Sequence, residues 1–341
     1  MKQTFFQYLR LTESEMKAMW EGCLFTFDAN VLLNVYGYSQ GTRDELLALL
    51  ERLGPRVRVC HQFGLEFARN RVKVIVKQVN NYLRAEKAFE DIQTQHFAPR
   101  HEHPFLLPKS LEAFDALRRE LADNRKQMES LISRDAYADR VCEIFKDKVG
   151  KAPSESELQQ LHQEAKSRYD KAIPPGYADL KEKGEPDAFA DYIGWCQIIE
   201  IAKAEEKPVI HITDDTKEDW WYIERERTVG PRPELIAEFQ RDAQQMFFMY
   251  SSYSFLKAAS KYLDQRIQQS AIDEVSAMIA SLKKEVSELK AATAAIKPLT
   301  QDALSNTTAP TAPKPTDMPK SEQPKVSDPG PSDPGDAKPS T

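Results

Sequence analysis

The sequence predicts an α/β fold: a parallel sheet flanked by helices, with a helical insertion and a C-terminal coiled-coil helix. Three observations carry that expectation. Short apolar runs at 24–27 ("LFTF"), 56–60 ("RVRVC") and 208–213 ("PVIHIT") alternate with helical periods, the pattern of parallel strands buried on both faces. From Asn80 to Asp170 the chain is helical, charged and weakly patterned. Near the C-terminus, Ile272, Val275, Ile279, Leu282, Val286, Leu289, Thr293 and Ile296 recur at alternating gaps of three and four, an a/d heptad seam.

The elements follow in order. Thr12 and Glu15 have capping-box spacing and open a first helix to Gly22, with Met16, Met19 and Trp20 as its apolar stripe. Leu24 to Phe27 is strand one, and Val31, Leu32 and Val35 begin a helix after it. Thr42 to Gly54 is amphipathic and ends on glycine, a helix with its usual stop. Arg56 to Cys60 is strand two. A longer helix starts at His61, its buried stripe expected at Val72, Ile75, Val76, Val79 and Leu83. "LEAFDALRRELADNRKQMESLI" is the best helix of the middle region, after a loop at Ala98 to Pro108. Asp191 to Lys207 is a helix with Ile198, Ile199 and Ala202 inward, and it feeds the strand Pro208 to Thr213.

The heptad seam places β-branched residues at a and leucine at two d positions, a choice that favours a parallel dimer. Glu285 and Lys290 suit an interhelical ion pair. A homodimer through 272–296 is therefore expected; the alternative is a seam that packs back on its own domain. Beyond Lys297 the chain is rich in proline, serine, threonine and aspartate with no apolar period, the composition of a disordered tail.

Bulk numbers bound the function. Of 341 residues, 29% are charged and 41% hydrophobic, and the net charge is −6. An acidic balance offers no general attraction for nucleic acid, so such contacts need a local basic patch. Cys23, Cys60, Cys142 and Cys196 lack paired spacing, which reads as reduced thiols rather than a disulfide frame or zinc site. No apolar run of about 18 residues exists, and the N-terminus is too charged for a signal peptide. A cytoplasmic protein without membrane contact is expected.

The chemistry is carried by acids. Ligands in an α/β sheet bind beyond the carboxyl ends of the strands. Asp28 follows strand one, Glu66 lies one to two helical turns past strand two, and Asp214 and Asp215 follow the third strand. Asp191 opens the helix before that strand, with Asp187 a turn earlier. Converged carboxylates repel unless a cation sits among them, and hard oxygen donors suit Mg²⁺ or Mn²⁺. Two such ions, roughly 4 Å apart, can bind a phosphodiester, activate water and stabilise the leaving oxygen. As a lone residue Asp28 is equally a helix N-cap.

Four blocks, "FTFDANVLLNVY", "HQFGLEFARNR", "IPPGYADLKEKGEPDAFADYIGW" and "VIHITDDTKEDWW", resemble the PIN-like domain family, a branch of the PIN nuclease fold. The resemblance runs from about Leu24 to Leu256, looser across the helical middle. It implies a metal-dependent endonuclease, most often acting on RNA, that uses Mg²⁺ or Mn²⁺. It also implies Asp28 as the first-strand metal ligand with Asn30 as an adjacent polar contact, Glu66 as the second acid and Asp191 as the third. The fourth acid lies in "TDD", where the family pattern of Thr, any residue, Asp picks Asp215, with Asp214 an alternative or addition. Thr213 would orient the site. "DAN" stands where many relatives have "DTN", which removes a hydroxyl but no carboxylate. The resulting domain plan is 1–79 with 177–256 as a PIN-like catalytic domain, 80–176 as a helical insertion, 257–297 as a C-terminal helix and 298–341 as tail.

Arg69, Lys73 and Lys77 fall four apart on the Glu66 helix, and Arg71 and Lys217 add nearby charge. Their place beside the acids suits phosphate contact, although a solvated face is the ordinary reading of such a row. Asp187 is expected as a loop or cap residue and Asp219 as solvent-facing. Trp195, Trp220 and Trp221 are expected in core and lid packing. The "HEH" of His101 and His103, with His96, is a weak transition-metal pattern. Two other function classes compete. One is a non-catalytic binding protein with a vestigial acidic site, recruiting partners through the coiled coil. The other is an aspartate-nucleophile phosphatase, against which Asn30 stands where that chemistry wants a second acid.

Overall fold

The computed structural model describes residues 1–97, 108–284 and 288. In chain order it runs α1 (Glu13–Gly22), β1 (Leu24–Phe27), α2 (Ala29–Leu33), α3 (Gln40–Leu53), β2 (Val57–Arg58), α4 (His61–Ile92), α5 (Pro108–Ser130), α6 (Ala136–Ile144) and α7 (Glu155–Tyr169). It continues through α8 (Leu180–Lys183), α9 (Ala190–Glu205), β3 (Val209–Ile212), β4 (Trp221–Glu224), β5 (Arg227–Pro231), α10 (Pro233–Ala243), β6 (Phe247–Tyr250) and α11 (Ser252–Tyr262). A further helical run spans 269–284. The fold is α/β, mostly helical, around a four-stranded sheet in the order β2-β1-β3-β6, all strands parallel.

β1 and β3 lie in the middle of the sheet and are buried at every residue. Phe27 pairs in register with Ile212, and the Asp28 N–H continues the ladder by donating to the Ile212 carbonyl at 2.9 Å. The residues that follow the two central strands therefore emerge side by side. β2 is shorter than expected: only Val57 and Arg58 pair with β1, and Val59 bridges to Val149. β4 and β5 form a separate antiparallel hairpin.

Caps fall where the side chains dictate. Thr12 and Glu15 make the reciprocal capping box of α1. Ser39 caps α3, whose last residue hands over to Gly54 at φ +55°, a left-handed turn that glycine enters without a Cβ penalty.

One expectation is corrected. On α4, Ile75 and Val79 are buried, but Val72, Val76 and Leu83 are 37%, 41% and 44% exposed. Stepping about 100° per residue, the buried pair occupies one flank of the stripe and the exposed three the other, so the core covers half its width. α4 also runs unbroken past residue 80 to Ile92 and packs on α5, so the expected catalytic-to-insertion boundary falls inside one helix.

The heptad seam behaves differently from a free coiled coil. Ile272 and Val275 are buried in the protein's own core. Glu274 accepts from the Ser39 N–H and hydroxyl at 2.5 and 2.6 Å and from the Thr42 hydroxyl at 2.5 Å. These contacts dock the run on α3, so the first turns of the 272–296 seam are used within the chain. Val286, Leu289, Thr293 and Ile296, the 298–341 tail, and His101 and His103 lie outside the described residues. The four cysteines are free thiols. Among the described residues no helix is long and apolar enough to cross a membrane.

Candidate active site

Asp28 stands at the carboxyl end of β1, 7% exposed. Its Oδ1 accepts from the Asn30 N–H at 3.3 Å, so it does cap α2. Its Oδ2 accepts from the Thr213 hydroxyl at 2.6 Å and from the Asn30 amide at 2.7 Å. Thr213 Oγ1 in turn accepts from the Asn30 amide at 3.2 Å and from the Asp215 N–H at 3.0 Å. The Asp214 N–H donates to Asn30 Oδ1 at 3.1 Å. The capping and site readings of Asp28 are thus compatible: one oxygen caps, and the other belongs to a network joining the ends of β1 and β3. Burial pushes the Asp28 carboxyl up to about 7, the Thr213 hydrogen bond works against it, and the charges of Glu66 and Asp215 add to the rise.

Glu66 enters from α4 and Asp191 from α9. Phe63 is one turn before Glu66, and Gly194 is one turn after Asp191. A Cβ on Gly194 would sit 2.4 Å from the Phe63 ring, so the missing side chain lets the two helices approach and brings their acids to the same edge. Glu66 is raised by burial, against a hydrogen bond from Gln62 and the charge of Lys183. Asp191 is raised well above the carboxylate range by burial, then by Asp215 and Asp179. Trp220 Nε1 donates to Asp191 Oδ2 at 3.2 Å, and Oδ1 has no hydrogen-bond donor among the described residues.

Asp214, the alternative or additional fourth acid, is held by three donors. Its carboxylate accepts from the Ser252 N–H and hydroxyl, each at 2.8 Å, and from the Asn34 amide at 2.9 Å. Those three donors tie the end of β3 to Asn34 and to the start of α11. Asp215 is the member of the pair whose charge acts on Asp28 and Asp191.

Three further acids complete the surroundings; the sequence places Asp187 near Asp191 but gives no such expectation for Asp179 and Asp219. Asp179, 1% exposed, pairs with Lys217 Nζ at 2.5 Å and Lys183 Nζ at 2.6 Å. Burial works to raise Asp179, but the two lysines outweigh it and hold the carboxyl below its usual value. The Asp179–Lys183 spacing of four is the signal that could have found it. Asp219 is fully buried rather than solvent-facing. Its Oδ2 accepts from the Gly176 and Ala178 N–H groups, both at 3.0 Å, which ties the "PPGYAD" loop beneath the acids. Gly176 sits at φ +91°, where a Cβ would meet the Tyr169 hydroxyl at 2.1 Å. Asp187 is exposed, as a loop residue should be, and its charge reaches Glu66.

The cations divide. Lys217, expected as a phosphate contact, is paired within the chain: its Nζ lies 2.7 Å from Asp215 as well as against Asp179. Arg71 is likewise structural, pairing with Asp135 at 2.7 Å where the Tyr36 hydroxyl also donates at 2.7 Å. Arg69, Lys73 and Lys77 are exposed on α4 beyond Glu66, and Lys73 also reaches Asn70 Oδ1 at 3.2 Å. Trp195, Trp220 and Trp221 are buried.

Among the described residues, no three histidine, cysteine, aspartate or glutamate side chains come together closely enough to hold a metal ion. The expectation of carboxylates closed around a cation is corrected to that extent, because lysines carry part of the neutralisation. The donors present still have the chemistry of a hard-cation site: the charges of Glu66 and Asp215 act on Asp28 and that of Asp215 on Asp191, burial raises the proton affinity of Asp28, Glu66 and Asp191, and the buried Asp219 Oδ1 has no hydrogen-bond partner.

A family model described as "PIN like domain" matches residues 24–235. No curated protein and no solved structure matches the chain. The matched span runs from β1 through β3 to the start of α10 and includes Asp28, Glu66, Asp179, Asp191 and Asp215.

Proposed function

We propose that this chain, which belongs to the PIN-like domain family, is a metal-dependent endonuclease that hydrolyses phosphodiester bonds, with RNA as its substrate. One observation carries the reading. Asp28, buried at the end of the central strand, is aimed by Thr213 and Asn30 and lies in the electrostatic field of Glu66 and Asp215. Ionising a carboxylate buried at a ligand-binding edge costs free energy, which favours a functional role for Asp28 in addition to its cap.

Asp28, Glu66, Asp191 and Asp215 would hold Mg²⁺ or Mn²⁺. When bound, such an ion lowers the pKa of water and stabilises charge on a leaving oxygen. The chain's own residues do the rest. Thr213 and Asn30 fix the Asp28 carboxylate so that it need not reorganise. Asp219 anchors the loop carrying Asp179, and Lys217 and Lys183 offset charge that burial would otherwise make prohibitive. The exposed cations Arg69, Lys73 and Lys77, on the helix that carries Glu66, are placed to meet backbone phosphates. No side chain serves as nucleophile; water attacks phosphorus.

The second reading, a non-catalytic binding protein, is favoured by Lys217, whose ammonium already pairs with Asp215 and Asp179. Product chemistry separates the two. Water attack incorporates one ¹⁸O from H₂¹⁸O into the product phosphate, yields no 2′,3′-cyclic phosphate and is abolished by EDTA. Intact RNA in Mg²⁺ and in Mn²⁺ would favour the binding protein.

A further inference from the structure

A cavity of about 490 Å³ opens beside Asp215, between the β4–β5 hairpin, the end of β6, the start of α11 and the 269–284 run. Resting on the nuclease reading above, we propose that this cavity is a nucleotide subsite, taking one unpaired nucleotide next to the phosphate being cut, with its base against Tyr253, Phe248 and Trp221 and its phosphate on Lys283.

Its volume lies within the roughly 300–1,000 Å³ of small-ligand pockets. Continuity with the acids is direct: Trp221 forms part of the wall, and its indole N–H donates to the Asp215 carbonyl at 2.6 Å. The aromatic side is preorganised. Phe248 and Tyr250 meet edge to face with centroids 5.0 Å apart, and the Tyr250 hydroxyl is held by Trp20 Nε1 at 3.3 Å. Flat aromatic walls accept any base through its π-face, and single-stranded RNA is bound this way.

The opposite wall is the C-terminal run. Ser276, Ile279, Ala280 and Lys283 all line the cavity, spaced three, one and three, which is a single helix face. That face is aimed by the clamp of Glu274 on Ser39 and Thr42 and by buried Val275. Ile279, an a position of the heptad pattern, thus faces a cavity in its own chain. Lys283 is exposed and supplies the cation, and the hydroxyls of Thr228 and Ser276 supply partners for a base edge. A cation at the rim with aromatic faces inside matches an anionic, flat-ringed ligand better than an apolar peptide. Apart from the hairpin and the Asp215 loop, these walls lie beyond residue 235, where the family match ends.

The test uses full-length Asp28→Asn protein in EDTA, which holds RNA without cutting it. It is titrated with a single-stranded RNA heptamer carrying a 5′ fluorescein and an internal 2-aminopurine, and with the same labelled heptamer made abasic at that position, and fluorescein anisotropy gives both dissociation constants. Base stacking quenches 2-aminopurine on binding. The dissociation constant rises about tenfold for the abasic probe and for Tyr253→Ala, returns with Tyr253→Phe, and rises about fivefold for Lys283→Ala. Lys283 is exposed, so that variant leaves folding intact. Equal affinity across probes and variants overturns the subsite, and Asp28-dependent cleavage persisting alongside that result leaves the nuclease reading standing. Stacking and variant effects as stated, with no cleavage by the unsubstituted protein, keep the subsite and remove the nuclease reading.

Discussion

Gly194 lies so close to Phe63 that a methyl group on it would sit 2.4 Å from the ring. This one contact sets the approach of α9 to α4, and with it the placement of Asp191 relative to Glu66, each one turn away. The Phe63 ring is backed by His211 of β3, 5.7 Å away between centroids, so it cannot retreat without disturbing the sheet. Gly194→Ala is expected to destabilise the protein by about 1–3 kcal/mol, the usual cost of overpacking, and to lower cleavage beyond what the loss of folded protein explains. A thermal melt together with a rate normalised to folded protein checks both.

Sheet and site are legible in the sequence to different depths. β1 and β3 can be read because strands buried on both faces must be short and apolar. Asp28 and Asp215 can be read because they end such strands. β6, as short as β1, is buried only at alternate residues, and the β4–β5 hairpin is largely exposed, so neither has the burial on both faces that marks β1 and β3. Lys217 reads outward because its place beside the acids gives no direction; the ion pairs with Asp179 and Asp215 turn it inward. Asp219 reads as solvent-facing because its sequence neighbours are charged, and only the Gly176 and Ala178 N–H groups explain its burial. The run at 272–279 is periodic enough for a helix, but a period does not say whose surface covers it.

His211 gives the clearest pH dependence. It is fully buried, with Nδ1 3.0 Å from Thr26 Oγ1, and burial depresses its pKa to about 3. Between about 3 and 6.5 the unfolded chain binds a proton that the folded chain refuses, so stability rises with pH across that window and is lost as pH falls through it. The loss from this residue is about 3 kcal/mol by pH 4. His211→Gln is expected to flatten the acid limb of a denaturation profile, and an unchanged limb would contradict the assignment.

Arg71 and Arg69 are two residues apart and should behave in opposite ways. Arg71→Ala leaves Asp135, 8% exposed, without its ion pair and is expected to cost about 2–4 kcal/mol. Arg69→Ala is expected to leave the melting temperature unchanged while weakening RNA binding and reducing its salt dependence by about one phosphate contact. Melting curves and salt titrations of the two variants separate structural from substrate-facing cations.

The acidic edge is tested most directly by the rate at which purified full-length protein cuts single-stranded RNA in Mg²⁺ or Mn²⁺, measured for the unsubstituted chain and for Asp28→Asn. The substitution keeps the size of the side chain and an acceptor for Thr213, so the fold should persist. It removes the charge, and a fall of at least about a hundredfold is expected, on the order of 3 kcal/mol in the barrier. Equal rates in the two proteins would contradict the account, because the buried carboxylate on which it is built would then take no part in the reaction.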